Sequence, residues 1–365
     1  MNIVVECPAL RSAIDVLSRV TGAEHANLEI EGKNIFVTAT GQSRSCRMHV
    51  TGEVESKKGA ERFGFNVSSM LKILRGRDKL TLAADKDNTV TFDSSTKGTK
   101  FSGEFQALPF EEISIVSEDS ASTVNLGAKE LAGIQSMVTH LQLSNLVNTE
   151  PMILNIEIGP DGLYGAVYDE YHAAYAHDPS VTTKKMVTFS MPLALYQLIA
   201  SVAGEREYSF VIGMAYVGAK AIDFEVSLPV MQAQSLRQLN IPRNYFNSLG
   251  DMAKIRDTFA IEKSEFGAIM ENLSAFNDGT VGIQIESKKS GYINLSCSSP
   301  FGKGSDKRKV KSEPWKKIYT LNPVMFMDVF NAFPLKQVQF WFSGNAVLTH
   351  ADIGSMRVYY SCILM

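Results

Sequence analysis

Three stretches of the chain carry apolar residues in the same register, and this internal repetition limits the possible folds more than any other feature. Val5, Leu10 and Ala13/Ile14 mark the first stretch, Leu126, Leu131 and Ile134 the second, and Ile261, Phe266 and Ile269 the third. In the second and third copies the offsets from the first apolar residue are +5 and +8, and the first copy agrees to within a residue. Such spacing predicts a β-strand running into an amphipathic helix, three times over.

A second strand-to-helix unit recurs later in each third. Phe63–Val67 leads to Met70, Leu71 and Leu74; Val187–Met191 leads to Leu195, Leu198 and Ile199; Ile318–Leu321 leads to Met325 and Val329. Ser68-Ser69, Pro192 and Asn322-Pro323 mark the helix starts, where capping side chains and first-turn proline are favoured. Alternating segments such as Asn27–Glu31, Lys79–Leu82, Tyr208–Ile212 and Gln337–Phe342 read as strands with one buried face. The repeat starts at Val5, Leu126 and Ile261 lie 121 and 135 residues apart, so the repeated unit is a whole α+β domain and not a solenoid turn. Three similar domains are expected at 1–118, 119–245 and 246–365, with linkers at Glu111–Ser122 and Asn240–Ile255.

Composition narrows the function classes. A hydrophobic content of 45% and a charged content of 21% belong to a chain folded nearly throughout. No apolar run approaches the ~18 residues of a membrane span, and the N-terminus lacks a basic segment followed by an apolar one, so a cytoplasmic protein without membrane attachment is expected. Cys7, Cys46, Cys297 and Cys362 show no metal or C-x-x-C spacing and read as small buried hydrophobes in a reducing compartment. With a net charge of −3, a nucleic-acid partner would require locally segregated positive charge.

Three segments resemble the bacterial DNA polymerase III beta sliding clamps. Gln106-Ala107-Leu108-Pro109-Phe110-Glu111-Glu112 is similar to the segment closing that family's first domain, and Val167-Tyr168-Asp169-Glu170-Tyr171-His172-Ala173 to its strand-turn segment T-D-G-H-R-L. Val358–Met365 ends the chain on a short apolar strand, as clamps do. Glu170 stands where the family has glycine, His172 where it has arginine, and the terminal Met-Pro-Met is missing; these departures point to a divergent or phage-encoded member. The resemblance implies three clamp domains in tandem, each presenting two helices to a central channel and antiparallel sheets outward, and a homodimeric ring at the replication fork.

It also implies a role and partners: encircling double-stranded DNA without sequence preference, and tethering the replicative polymerase for processivity. No cofactor is implied. Lacking a nucleotide motif, such a clamp requires an ATP-dependent loader, which binds it, like the polymerase, through short peptides. Phosphate contact calls for Lys and Arg on the channel side. The second helix of the first third, read as Met70 to Lys79, supplies Lys72, Arg75, Arg77 and Lys79, and Arg19 at the end of the first helix joins them. The plain alternative is a solvated helix end favoured by its dipole. Mapped by motif, the peptide pocket would be walled by Pro151, Tyr168, Glu170, Tyr171, His172, Ala173, Gln238, Leu239, Tyr359, Ser361 and Ile363. A denser basic run, Lys303 to Lys317, reads as a flexible, solvated connection set away from the channel.

Enzyme signatures are missing: there is no G-x-S-x-G, P-loop, H-E-x-x-H or G-x-G-x-x-G after a strand. The six histidines show no ligand spacing, His172 and His177 are expected to flank a strand end, and Asp161-Gly162 and Asp278-Gly279 read as turns. The rival to a clamp is a non-enzymatic structural or assembly protein tiled from the same repeated α+β domains.

Overall fold

A computed structural model of the chain describes residues 2–41, 44–56, 61–85, 87–96, 99–110, 122–141, 152–168, 171–204, 206–212, 216–229, 254–276 and 281–365. The element order repeats three times. The first copy runs β1 (Asn2–Glu6), α1 (Cys7–Thr21), β2 (His25–Glu31), β3 (Asn34–Gly41), β4 (Arg44–Val50), β5 (Gly52–Ser56), β6 (Arg62–Asn66), α2 (Val67–Leu74), β7 (Lys79–Ala84), β8 (Thr89–Thr96) and β9 (Thr99–Gln106). The second runs β10 (Ser122–Asn125), α3 (Ala128–Leu141), β11 (Ile153–Gly159), β12 (Gly162–Tyr168), β13 (His172–Asp178), β14 (Val187–Pro192), α4 (Leu193–Ala203), β15 (Ser209–Ile212), β16 (Tyr216–Lys220) and β17 (Phe224–Pro229). The third runs β18 (Thr258–Glu262), α5 (Lys263–Ser274), β19 (Ile283–Lys289), β20 (Tyr292–Ser299), β21 (Gly302–Lys309), β22 (Lys311–Ser312), β23 (Tyr319–Leu321), α6 (Pro323–Ala332), β24 (Gln337–Ser343), β25 (Ala346–Ile353) and β26 (Met356–Ile363). Both strand-to-helix units expected in each third are present. His172 and His177 lie near the two ends of β13, and Asp161-Gly162 turns β11 into β12.

The helices begin and end where local chemistry dictates. Pro8 sits in the first turn of α1, and Gly22 ends the helix with φ 65°, its N–H donating to the Ser18 carbonyl at 2.8 Å. The cap of α2 is Asn66, whose Oδ1 accepts from Ser69 N–H at 3.0 Å, two residues ahead of the serine pair that marks the start in the sequence. Asn322 caps α6 by accepting from Val324 and Met325, with Pro323 behind it.

Two compact units result: Met1–Gly127 with Gln197–Ala233, and Ala128–Tyr196 with Gln234–Met365. Shared sheets explain this grouping. In the first unit β5-β1-β7-β8-β9 form one sheet and β10-β15-β16-β17-β4-β3-β2-β6 another, in which Val226 of the second copy pairs with Cys46 of the first. In the second unit β14-β11-β12-β13-β26-β25-β24-β18-β22 form nine strands, with Tyr175 opposite Tyr359, and β21-β20-β19-β23 a sheet of four. The cores lie where helices cover sheets: Leu10, Ile14 and Leu17 of α1 are buried in the first unit, Ile134 and Met137 of α3 and Phe266 and Ile269 of α5 in the second. Gly64 allows Leu108 to close the edge of β6, since a side chain there would meet the Pro109 carbonyl at 2.8 Å. The four cysteines are free and buried, and burial lifts the Cys7 thiol to about 11 and that of Cys46 to about 12.

Two readings from the sequence change. The basic run is no flexible connection: Gly302–Lys309 is strand β21 and Lys311–Ser312 is β22. Helix α2 stops at Leu74, so Arg75 is its C-cap, Arg77 lies in the following turn and Lys79 opens β7. Pro151, Glu170, Gln238, Leu239, Asp278-Gly279 and nearly all of both expected linkers lie outside the described residues.

Candidate nucleic-acid and peptide interfaces

Helices α1 and α2 run antiparallel in the first unit. Val67 N–H bonds to the Glu24 carbonyl just past the end of α1, while Cys7 N–H bonds to the Asp78 carbonyl just past the end of α2. Arg19 is therefore at one end of the pair and Arg75, Arg77 and Lys79 at the other, about 18 Å away by the rise of α1. Arg19, Lys72, Arg75 and Lys79 are exposed and fit to meet a polyanion. Arg77 is held otherwise. Its guanidinium donates to the carbonyls of Ile73 and Arg75 and lies 3.8 Å from the centroid of the Phe101 ring, closing the C-terminal end of α2. Across the six described helices the charge balances: Arg11, Arg19, Lys72, Lys129 and Lys263 stand against Asp15, Glu130, Glu265, Glu271 and Asp328.

The second candidate interface is one face of the nine-stranded sheet. Because side chains alternate along a strand, Ala173 and Tyr175 of β13 share a face with Tyr359 and Ser361 of β26, their register partners. Tyr168 stands opposite Ala173 on β12, the Ile363 N–H bonds to the Tyr171 carbonyl at 2.9 Å, and Ser361 Oγ donates to the Ala173 carbonyl at 3.4 Å. Seven of the residues mapped as a pocket thus gather at one place in the second unit, but His172 turns to the opposite, helix-covered face. Its Nε2 sits 2.9 Å from the Met325 carbonyl in α6 and the residue is 3% exposed, so it serves the core.

The same alternation adds residues that motif mapping missed. Ala166, Ala173, Tyr175, Trp341, Leu348 and Tyr359 form one buried apolar cluster, with Tyr168 and Ile255 packed against it. His350 lies 5.0 Å from Trp341 and 5.7 Å from Tyr359, ring to ring. Tyr175 was within reach from the sequence, two residues beyond Ala173 on an alternating strand; Trp341, Leu348 and His350 depend on the pairing of β24, β25 and β26, which no local pattern states. Burial holds the His350 ring below its ordinary value of 6.5, Asp352 opposing and Arg357 adding to the effect. Asp352 and Arg357 are paired at 2.5 Å on the exposed margin of this face, and the hydrogen bond from Arg357 lowers the carboxyl. The cluster is aromatic and buried, no member more than 9% exposed, while Ile363 beside it is 46% exposed. Among the described residues no group of His, Cys, Asp and Glu could hold a metal ion, and no helix is long and apolar enough to cross a membrane.

No protein-family profile matches the chain, and neither does any curated protein sequence. Solved structures do. The DNA polymerase III subunit beta of Pseudomonas aeruginosa superposes with a TM-score of 0.73 at 15% identity, covering 100% of both chains. The beta subunit of Thermotoga maritima gives 0.70 at 16% identity, and the DNA polymerase sliding clamp of Caulobacter crescentus 0.72 at 13%, each over 100% of this chain and 99% of the other. This chain has the sliding-clamp fold from end to end.

Proposed function

We propose that the chain is a DNA sliding clamp: two copies close head to tail around duplex DNA and tether a replicative polymerase, without catalysis of their own. The observation that carries the reading is the full-length agreement with clamp structures of a chain whose strand-to-helix units repeat three times. In this reading the repeats are three domains, 1–118, 119–245 and 246–365, and each contributes two helices to the channel.

Unlike ends make a heterologous contact that closes when the rotation per domain permits. Strand β9 ends the five-stranded sheet and β21 ends the four-stranded sheet. Pairing β9 of one copy with β21 of the other would bury both edges, which otherwise invite aggregation. Arg19, Lys72, Arg75 and Lys79 would meet phosphates, and the aromatic face around Tyr359 and Ile363 would seat short peptides of the polymerase and of an ATP-driven loader.

The test is retention on nicked circular DNA before and after linearisation, with the loader of the cognate host supplied. A clamp stays on the circle and leaves once an end is cut, and it elutes near twice 40.2 kDa. Retention indifferent to ends, or an open-ended polymer, overturns the proposal.

A further inference from the structure

Positive charge is segregated in this chain, but not on its described helices. Between Ile283 and Lys317 there are nine lysines and arginines against three acids, a net +6 inside a chain of −3. Strand β21 sorts that charge by face. Gly302 and Gly304 lie under the Phe276 ring, and Arg308 turns the same way to Asp306 and Glu265. The alternate residues Lys303, Ser305, Lys307 and Lys309 are exposed on the opposite side. Lys303, Lys307 and Lys309 make no ion pair among the described residues. Glu286, the one acid on this face of the neighbouring strands, is already 2.9 Å from Lys288.

Beside the lysines stand a flat aromatic and small polar groups. Tyr292 is opposite Lys309 and Asn294 opposite Lys307, and the Lys307 ammonium lies 5.0 Å from the Tyr292 ring centroid. Phe301, 76% exposed, projects at the hairpin tip two residues beyond Ser299, and the strand Tyr292–Ser299 sets it roughly 23 Å from Tyr292 along the sheet. Cations every ~6.6 or ~13 Å between two accessible rings match a flexible polyanion that also offers stacking faces. A duplex presents phosphates alone; an acidic polypeptide has few rings to stack. We propose that the outward face of the sheet β21-β20-β19-β23 binds single-stranded DNA without sequence preference. The inference goes beyond the clamp reading and stands whether or not a ring closes. Pairing of β21 through its backbone edge would leave this face open.

Fluorescence anisotropy with a labelled oligo(dT) of 20 nucleotides, titrated from low to moderate salt, tests it on the full chain. Removing three phosphate contacts in Lys303→Gln/Lys307→Gln/Lys309→Gln should flatten the slope of log affinity against log salt by about 2, at roughly 0.7 per contact. Tyr292→Ala should weaken binding at least about fivefold, the low end of one lost stacking partner, while Tyr292→Phe keeps it. Circular dichroism checks that each variant is folded. An unchanged salt slope, equal affinity for a duplex of the same length, no effect of Tyr292→Ala, or competition by polyglutamate as effective as by unlabelled oligonucleotide would each overturn the assignment.

Discussion

Replacing Arg77 by alanine separates two roles that the sequence could not tell apart, phosphate contact and closure of a helix. Helix α2 has eight residues, so its last carbonyls make up half of it and need partners from outside the helix. Arg75 N–H and Arg77 N–H reach Lys72 and Leu74 at 3.3 and 3.4 Å, and the Arg77 side chain supplies Ile73. A hydrogen bond from a charged donor is worth about 1.5–3 kcal/mol, less here because the residue is only half-buried and water can replace it. The contact with the Phe101 ring adds about 0.5–1 kcal/mol. Arg77→Ala should therefore destabilise the first unit by about 1–2 kcal/mol, whereas Lys72→Ala, Arg75→Ala and Lys79→Ala stay within about 0.5 kcal/mol of the parent.

Both tryptophans, Trp315 and Trp341, belong to the second unit, so tryptophan fluorescence is an internal control, and far-ultraviolet dichroism must show the loss. The duplex-binding salt slope, counted per copy of the chain, is the second readout: each lost phosphate contact removes about 0.9 from it. Arg75→Ala should show that change and Arg77→Ala should not. An Arg77→Ala protein as stable as its parent, with a slope lowered by about 0.9, would refute the capping argument.

Three further outcomes follow. Asn322→Ala removes the acceptor of two N–H groups at the start of α6 and should cost about 1 kcal/mol in a urea titration. Ile363→Asp, at a half-exposed rim position, should leave stability within about 0.5 kcal/mol yet abolish binding of an apolar clamp-binding peptide followed by Trp341 fluorescence. His350 is held neutral in the folded protein, so unfolding takes up a proton below pH 6.5; its share of stability is present above 6.5 and lost as pH falls toward the lowered folded value. Thermal midpoints measured from pH 7 to 5 should accordingly fall further for the parent than for His350→Gln.

How far the sequence carried the fold depended on whether a feature was local. Strand-to-helix units were legible because each is written within about twenty residues: Ile261, Phe266 and Ile269 change from strand to helix spacing inside β18 and α5. The shared sheets were not, since nothing near Cys46 announces Val226, nor anything near Tyr175 announces Tyr359. Strand β21 was missed for a sharper reason. Its inward positions hold Gly302 and Gly304, and the apolar surface that would normally declare a buried face comes from Phe276, some 26 residues earlier. The basic pattern from Met70 to Lys79 hides the end of its helix, because only the backbone shows that Gly76, at φ 71°, follows the stop. His172 was placed on the wrong face because a motif gives the order of residues but not which of them starts the strand, and a shift of one reverses every side chain.

The distribution of charge gives the two surfaces different kinds of hold. The described helices hold equal numbers of acids and bases, and four exposed cations per chain would give a salt slope of about −4 for each copy, or about −7 for a ring of two. A protein that must stay on DNA while moving along it gains little from stronger contacts, because each phosphate bond kept is one to be broken at the next step; in the proposed clamp, enclosure would supply the retention and few contacts the friction. The sheet carrying Lys303, Lys307 and Lys309 is under no such constraint. A strand held there does not have to slide through a channel, so affinity can be concentrated in unpaired lysines beside a stacking ring. The net charge of −3 thus conceals a separation between a neutral set of described helices and a basic four-stranded sheet, which the average over the chain cancels.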